Sequence, residues 1–295
     1  NAMYSNTTGT RNLAIGALAY DASDTENDNI AIGYGAMSEN TAGGTANVAV
    51  GNYTLDALTS GDENVAVGHL SLSDATTGGY NVAIGASALE NATTSSNNVA
   101  VGNSAMKACT TGTENVAVGR EALDALVDVN GCTAVGYRAL TANTGADNTG
   151  LGKAALLANT TGEQNVAVGL NALQANTTAN GNVAIGREAM YTNTTGTANV
   201  AVGKNALYAN TEGGSNTMVG SSAGLHVTTG GHNTFVGLYA GAAANGITTG
   251  SQNTIIGANT SPNANNMVGG IVLGYNVAGQ EDYHFTFGNG GSHRV

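Results

Sequence analysis

The motif Asn-x-Ala-Val-Gly, with few changes, returns every 17 residues through most of the chain, and so short a period dictates a stack. The glycine that closes the motif serves as an anchor from Gly16 to Gly274. Successive anchors lie 17 apart, except for 18 between Gly33 and Gly51, 16 between Gly136 and Gly152, and 20 between Gly237 and Gly257. One repeat of this size cannot bury its own apolar face, so neighbours must stack and share a core. The period predicts an all-β parallel solenoid with about 17 residues per coil.

Phase within the repeat assigns conformation. Apolar residues or Thr stand three and one before the anchor, as in Val116 and Val118, with Ala117 between them. That alternation, in β-branched residues, predicts a short strand whose Val and Ile face the core. Leu or Met follows four residues after the anchor, as in Leu89, Met106 and Leu123. A helical second arm conflicts with the strand spacing, because strands stack about 4.8 Å apart and helices about 8–10 Å. The second arm is therefore expected to be extended, with Leu at the fourth position and Ala at the sixth turned inward. Asn-Thr-Thr-Gly or a near relative completes the coil as a corner.

Four residues before the anchor, Asn recurs in every one of the first fifteen turns except that of Cys132: Asn64, Asn81, Asn98, Asn115, Asn148, Asn165, Asn182 and Asn199 belong to this row. Stacked amides can hydrogen-bond from coil to coil, so the row reads as an internal ladder that fixes register. The repeated alanines raise a separate point. On an extended reading Ala100, Ala117, Ala122, Ala167 and Ala184 point away from the coil interior, yet their size hardly varies. Something must approach them closely, and an identical neighbour in a cyclic assembly is the simplest candidate.

Composition narrows the function. Gly numbers 44, Pro one and Trp none, and 9% of residues are charged where a globular domain has about a quarter. Hydrophobic residues at 41%, arranged rhythmically, argue against disorder. A net charge of −12 opposes nucleic acid and anionic membranes, and no apolar run approaches a membrane span. Cys109 and Cys132 lie in different phases and make neither a disulfide framework nor a zinc pattern.

Catalytic chemistry finds no constellation. Glu121, Asp124 and Asp128 form an acidic cluster, and Asp62-Glu63 and Glu281-Asp282 are adjacent acids, all read as solvated charge. The five histidines are scattered apart from His226 and His232. No catalytic group, metal or cofactor is expected. Tyr191 and Tyr208 share one outward phase in successive repeats and could form an aromatic ridge suited to a sugar. Thr-Thr corners, as at Thr93-Thr94 and Thr110-Thr111, could also stack into an ice-binding face. That row breaks at Val127-Asp128, Thr144-Gly145 and Glu212.

The N-V-A-[VI]-G repeats resemble the heads of trimeric autotransporter adhesins, whose NSVAIG-type repeats form a left-handed parallel β-roll. The wording NVAVGKNALYANTEGGSNTMVGSSAG from Asn199 is similar to long repeats of bacteriophage tail-fibre and related adhesin-like proteins. The similarity spans roughly residues 10–274, with a coil longer than the usual adhesin-head coil. It implies a homotrimer, intertwined or side by side, serving as a structural and attachment segment of a viral tail fibre that meets a cell-surface glycan or protein receptor. It implies a location on a virion or a bacterial surface. The alternative within the resemblance is a bacterial adhesin head.

Four segments follow. Residues 1–9 are a lead-in, where Asn1-Ala2-Met3 reads as a cloning scar; 10–213 are regular repeats; 214–274 are variant repeats; 275–295 are a closing segment. In the variant repeats Met218, Phe235 and Ile255 replace the strand alanine, which predicts different packing around the assembly axis.

Overall fold

The computed structural model describes residues 1–39, 43–242, 247–290 and 292–294, and all its regular structure is β. The chain divides into two compact units, Asn1–Asp147 and Asn148–Val295.

The first unit holds β1 (Leu13–Ile15), β2 (Ile30–Ile32), β3 (Val48–Val50), β4 (Val65–Val67), β5 (Val82–Ile84), β6 (Val99–Val101), β7 (Val116–Val118) and β8 (Thr133–Val135). Each pairs in parallel with the next, and repeat-equivalent residues meet: Ala100 lies opposite Ala117, and Ala117 opposite Ala134. The second unit holds β9 (Thr149–Leu151), β10 (Val166–Val168), β11 (Val183–Ile185), β12 (Val200–Val202), β13 (Thr217–Val219), β14 (Thr234–Val236), β15 (Thr254–Ile256), β16 (Ile271–Tyr275) and β17 (Phe285–Asn289), again parallel and in register. A last strand, β18 (Ser292–Arg294), turns back antiparallel along β17. Each unit is a parallel β-solenoid with one short strand per coil.

The inside and outside of the strand are the reverse of expectation. The central alanines Ala100, Ala117, Ala167 and Ala184 are 0% exposed, while the flanking Val and Ile are half-buried or exposed on the outer side. Ala122, three residues past its anchor, is also fully buried. These alanines fill the interior of their own chain and are not available for packing against another subunit. Parity explains the reversal. The buried Asn stands four before the anchor and Ala two before it, so in an alternating strand both face the same way. Val and Ile, one and three before, must then face out.

The second arm is neither extended nor helical. Non-glycine residues two and four after the anchors from Gly16 to Gly237 adopt left-handed angles, as at Glu121 (φ 57°) and Leu123 (φ 53°). Left-handed backbone costs L-residues about 1–2 kcal/mol each, and the ladder repays it. The Glu121 amide donates to Asn103 of the previous coil at 3.0 Å, and the Leu123 amide donates to Ala139 of the next at 3.1 Å. This chain path buries the residues three, four and seven after the anchor, such as Ala122, Leu123 and Leu126. The alanine at the sixth position does not turn inward: Ala125 is exposed and Ala175 half-buried.

The anchor must be glycine. Gly102 has φ +139°, and a Cβ there would lie 2.6 Å from the backbone carbonyl of Gly119 in the next coil. Larger strand residues are accommodated within the coil. Met218 and Phe235 are fully buried, and in each case the residue four after the anchor is a glycine. A Cβ on Gly224 would meet the Met218 sulfur at 2.6 Å, and one on Gly241 would collide with the Phe235 ring. Ile255 is likewise buried. The variant repeats thus repack the coil interior, correcting the expectation of altered packing around an assembly axis.

Candidate functional site

Tyr191 and Tyr208 stand five residues after their anchors, on turns in adjacent coils of the second unit. Their rings stack with centroids 5.2 Å apart and planes 4° from parallel. Coil-to-coil spacing produces this, since equivalent positions repeat at roughly the stacking distance of aromatic rings. The backbone beneath is fixed, with the Thr192 hydroxyl donating to the Tyr208 carbonyl at 2.8 Å. Both rings are half-buried, which leaves an aromatic ridge with an apolar body and two phenol groups.

A second aromatic row is not among the residues expected from the sequence. In the first unit Tyr34 packs edge-on against Tyr53 (5.3 Å, 74°), and Tyr53 against His69 (6.4 Å, 80°). A signal for it exists, because these residues lie one or two past consecutive anchors. Tyr34 and His69 share one phase and Tyr53 another, so a single-column search misses them. All three are exposed or half-exposed.

The polar rows are committed to the fold. In the regular ladder each Asn Oδ1 accepts from the amide of the next ladder residue, and Nδ2 donates to a carbonyl of the next coil. Asn64 accepts from Asn81 N at 3.1 Å and donates to Gly78 O at 2.9 Å. Asn81, Asn98, Asn115, Asn148, Asn165, Asn182 and Asn199 are, like Asn64, 0% exposed and donate in the same manner. A second buried ladder, beyond the one expected, runs through Asn159, Asn176, Asn193 and Asn210, with Nδ2 of the last three each reaching the preceding Oδ1 at 2.7–3.0 Å. In other coils that position holds Leu58, Cys109 or Leu126, so the apolar members of the row are the signal for its burial.

The corner threonines divide by role. The first of each pair donates its hydroxyl to the next coil, as Thr76 to Thr93 O at 3.1 Å and Thr93 to Thr110 O at 3.1 Å. The second, such as Thr94 and Thr111, is exposed, as is Thr160 among the first, and Asp128 and Glu212 interrupt the outer column.

The titratable groups do not converge. Glu121 is tied to Arg120 at 2.6 Å and to Arg138 at 3.4 Å. Burial pushes the Asp124 carboxyl up, with the Glu121 charge adding to it, while Asp128 stands exposed. Burial also raises Asp56, with Asp74 and Glu39 contributing. Cys109 and Cys132 are buried thiols, and burial pushes the Cys109 thiol up to about 11. His226 and His232 do not lie in the core. Among the described residues no group of three His, Cys, Asp or Glu could hold a metal, and no helix is long and apolar enough to cross a membrane.

What remains is the outer strand face. In the first unit it shows Ile30, Val48, Val65, Val82, Val99 and Val116 in one column and Ile32 through Val135 in the other. In the second unit Leu151, Ile185, Val219, Val236 and Ile256 are each 36–45% exposed. The outward strand positions of β1–β16, three and one before the anchors, carry no charge; their only polar residue is Thr. No family model, curated protein or solved structure matches this chain.

Proposed function

We propose that this chain is a structural and surface-attachment segment of a homotrimeric fibre, of the kind carried by a viral tail, working by extension and binding rather than catalysis. The observation that carries this reading is the bare apolar strand face. Parallel sheets are nearly always covered on both faces, and here one face is left to Val, Ile and Leu. Three residues of strand across eight coils make a strip of about 10 by 34 Å in the first unit, on the order of 300 Å². The strip is unbroken by charge, and further copies of a chain with the same repeat match it coil for coil. The number three comes from the resemblance of the N-V-A-[VI]-G repeats.

Light scattering on the eluting full chain should give three chain masses. Replacing Val101 and Val118 together by Lys should yield a folded monomer, because both side chains are half-exposed in the single chain and a charged face cannot be covered cheaply. A wild-type monomer at micromolar concentration would sink the fibre reading.

Attachment is assigned to the aromatic ridge. Half of the corner hydroxyls are spent on the next coil, which favours a glycan-facing ridge over an ice-binding plane. Tyr191→Ala with Tyr208→Ala should lower binding on a glycan array at least tenfold and leave the melting temperature within a few degrees, since neither ring is in the core. Unchanged binding would move attachment elsewhere on the surface.

A further inference from the structure

The negative charge is spread unevenly along the chain. Residues 1–147 hold four Lys and Arg against fifteen Asp and Glu, a net −11, while residues 148–295 hold four against five, a net −1. Repulsion of anions therefore belongs to the first unit. In the second, Lys153, Arg187 and Lys204 each stand one residue past an anchor. Arg187 and Lys204 are 17 apart, which puts two exposed positive charges in one column on adjacent coils. Like charges facing each other at one strand spacing are destabilising. Glu188 offsets this only in part, at 3.7 Å from Arg187, and Lys204 makes no ion pair among the described residues.

The same two coils carry the stacked tyrosines. Arg187 precedes Tyr191 by four residues and Lys204 precedes Tyr208 by four, and no other coil joins a cation at the first position to an aromatic ring at the fifth. Between them Ala189-Met190 and Ala206-Leu207 are fully buried. The chain thus dips into the core and returns, with the cation on one side of the dip and the ring on the other. Four residues of chain span at most about 14 Å when extended, and this path is folded. A sugar resting on the ring can therefore present a carboxylate to the cation. That carboxylate would relieve the repulsion between Arg187 and Lys204, and a guanidinium can hold it with two parallel hydrogen bonds. Because the pairing of cation and ring occurs twice at one coil's spacing, successive sugars of a chain lying along the stack meet the same two groups.

We propose that the coils of Tyr191 and Tyr208 bind an acidic glycan, with its carboxylates on Arg187 and Lys204 and its sugar rings against the two tyrosines. The proposal rests on the attachment reading above and adds to it the charge of the ligand, its direction along the stack and two binding residues.

The test presents the full chain with a glycan array on which each sugar acid stands beside its own methyl ester. The wild type should hold the acids at least tenfold more tightly than the esters. Arg187→Gln with Lys204→Gln should lose that preference while ester binding, melting temperature and mass by light scattering stay as in the wild type. Raising the salt to about 1 M should abolish the preference of the wild type, since charges are then screened beyond about 3 Å. Arg11→Gln with Lys107→Gln removes the same charge from the first unit and should change nothing. Equal binding of acid and ester, or an equal loss from the first-unit variant, would overturn the proposal. Ester binding that still falls on Tyr191→Ala with Tyr208→Ala would in that case leave the ridge standing as a site for neutral sugars. Absence of binding to every glycan would instead remove the ridge reading itself.

Discussion

Ala167→Phe is expected to destabilise the second unit by about 3 kcal/mol, and Leu173→Gly in the same chain is expected to restore most of that loss. Ala167 is fully buried at the centre of β10, with Leu173 buried in the same coil. A benzyl group has no room there while Leu173 remains. Leu173→Gly alone should cost about 2–4 kcal/mol as a cavity, reduced because a glycine relieves the left-handed backbone at φ 50°. Together the two changes reproduce the Phe235–Gly241 coil that the chain already contains. Thermal and urea unfolding of the four members of this cycle would give a favourable coupling on the order of 2 kcal/mol. A double variant no more stable than the worse single one would mean that the pairs Met218–Gly224 and Phe235–Gly241 are not compensations.

The second large effect is on the asparagine ladder. Asn165→Leu removes the acceptor of the Asn182 amide (3.0 Å) and the donors to Asn148 Oδ1 (3.2 Å) and Ala179 O (2.8 Å). Ala179 O retains Asn176 Nδ2 at 3.1 Å, so the main loss is a buried amide without an acceptor. About 1–3 kcal/mol follows for that group, with the lost hydrogen bonds in addition. The melting temperature should drop by several degrees, while glycan binding by the refolded protein stays as it was. Asn165→Cys should cost less, because Cys132 occupies the same row and its thiol reaches the Gly145 carbonyl at 3.4 Å. If Asn165→Leu abolished binding in a chain of unchanged stability, the ladder would be a binding strip and the ridge reading would fall.

Both predictions turn on what lies inside the coil, and there the sequence misleads. Its pattern locates the strands, since Val116–Val118 and its equivalents are marked by alternation and β-branching. It also locates the corners, where Thr and Gly cluster. Hydrophobicity alone assigns Val and Ile to the core, and from that follows the mistaken placement of Ala117, Ala167 and Ala184 at a subunit contact. The internal Asn ladder and the internal valines are incompatible expectations, because they occupy opposite parities of one strand. Counting parity along Asn115–Val118 is enough to expose the conflict.

The 17-residue period by itself determined a stack of parallel coils, their register and the positions of their strands and corners, because a repeated sequence can satisfy its backbone only by pairing each coil with an equivalent one. Only the tertiary structure decided which side of the strand is the inside. Alternation supplies two faces without a sign, and the sign is set by how much volume a closed coil can hold. Here the interior accepts Ala167, Ala172, Leu173 and the ladder amides Asn165 and Asn176, and turns its valines out. The tertiary structure also decided the second arm. Its left-handed residues, from Leu18 to Asn276, have no shared side-chain chemistry; they adopt those angles because their amides must reach the coils above and below.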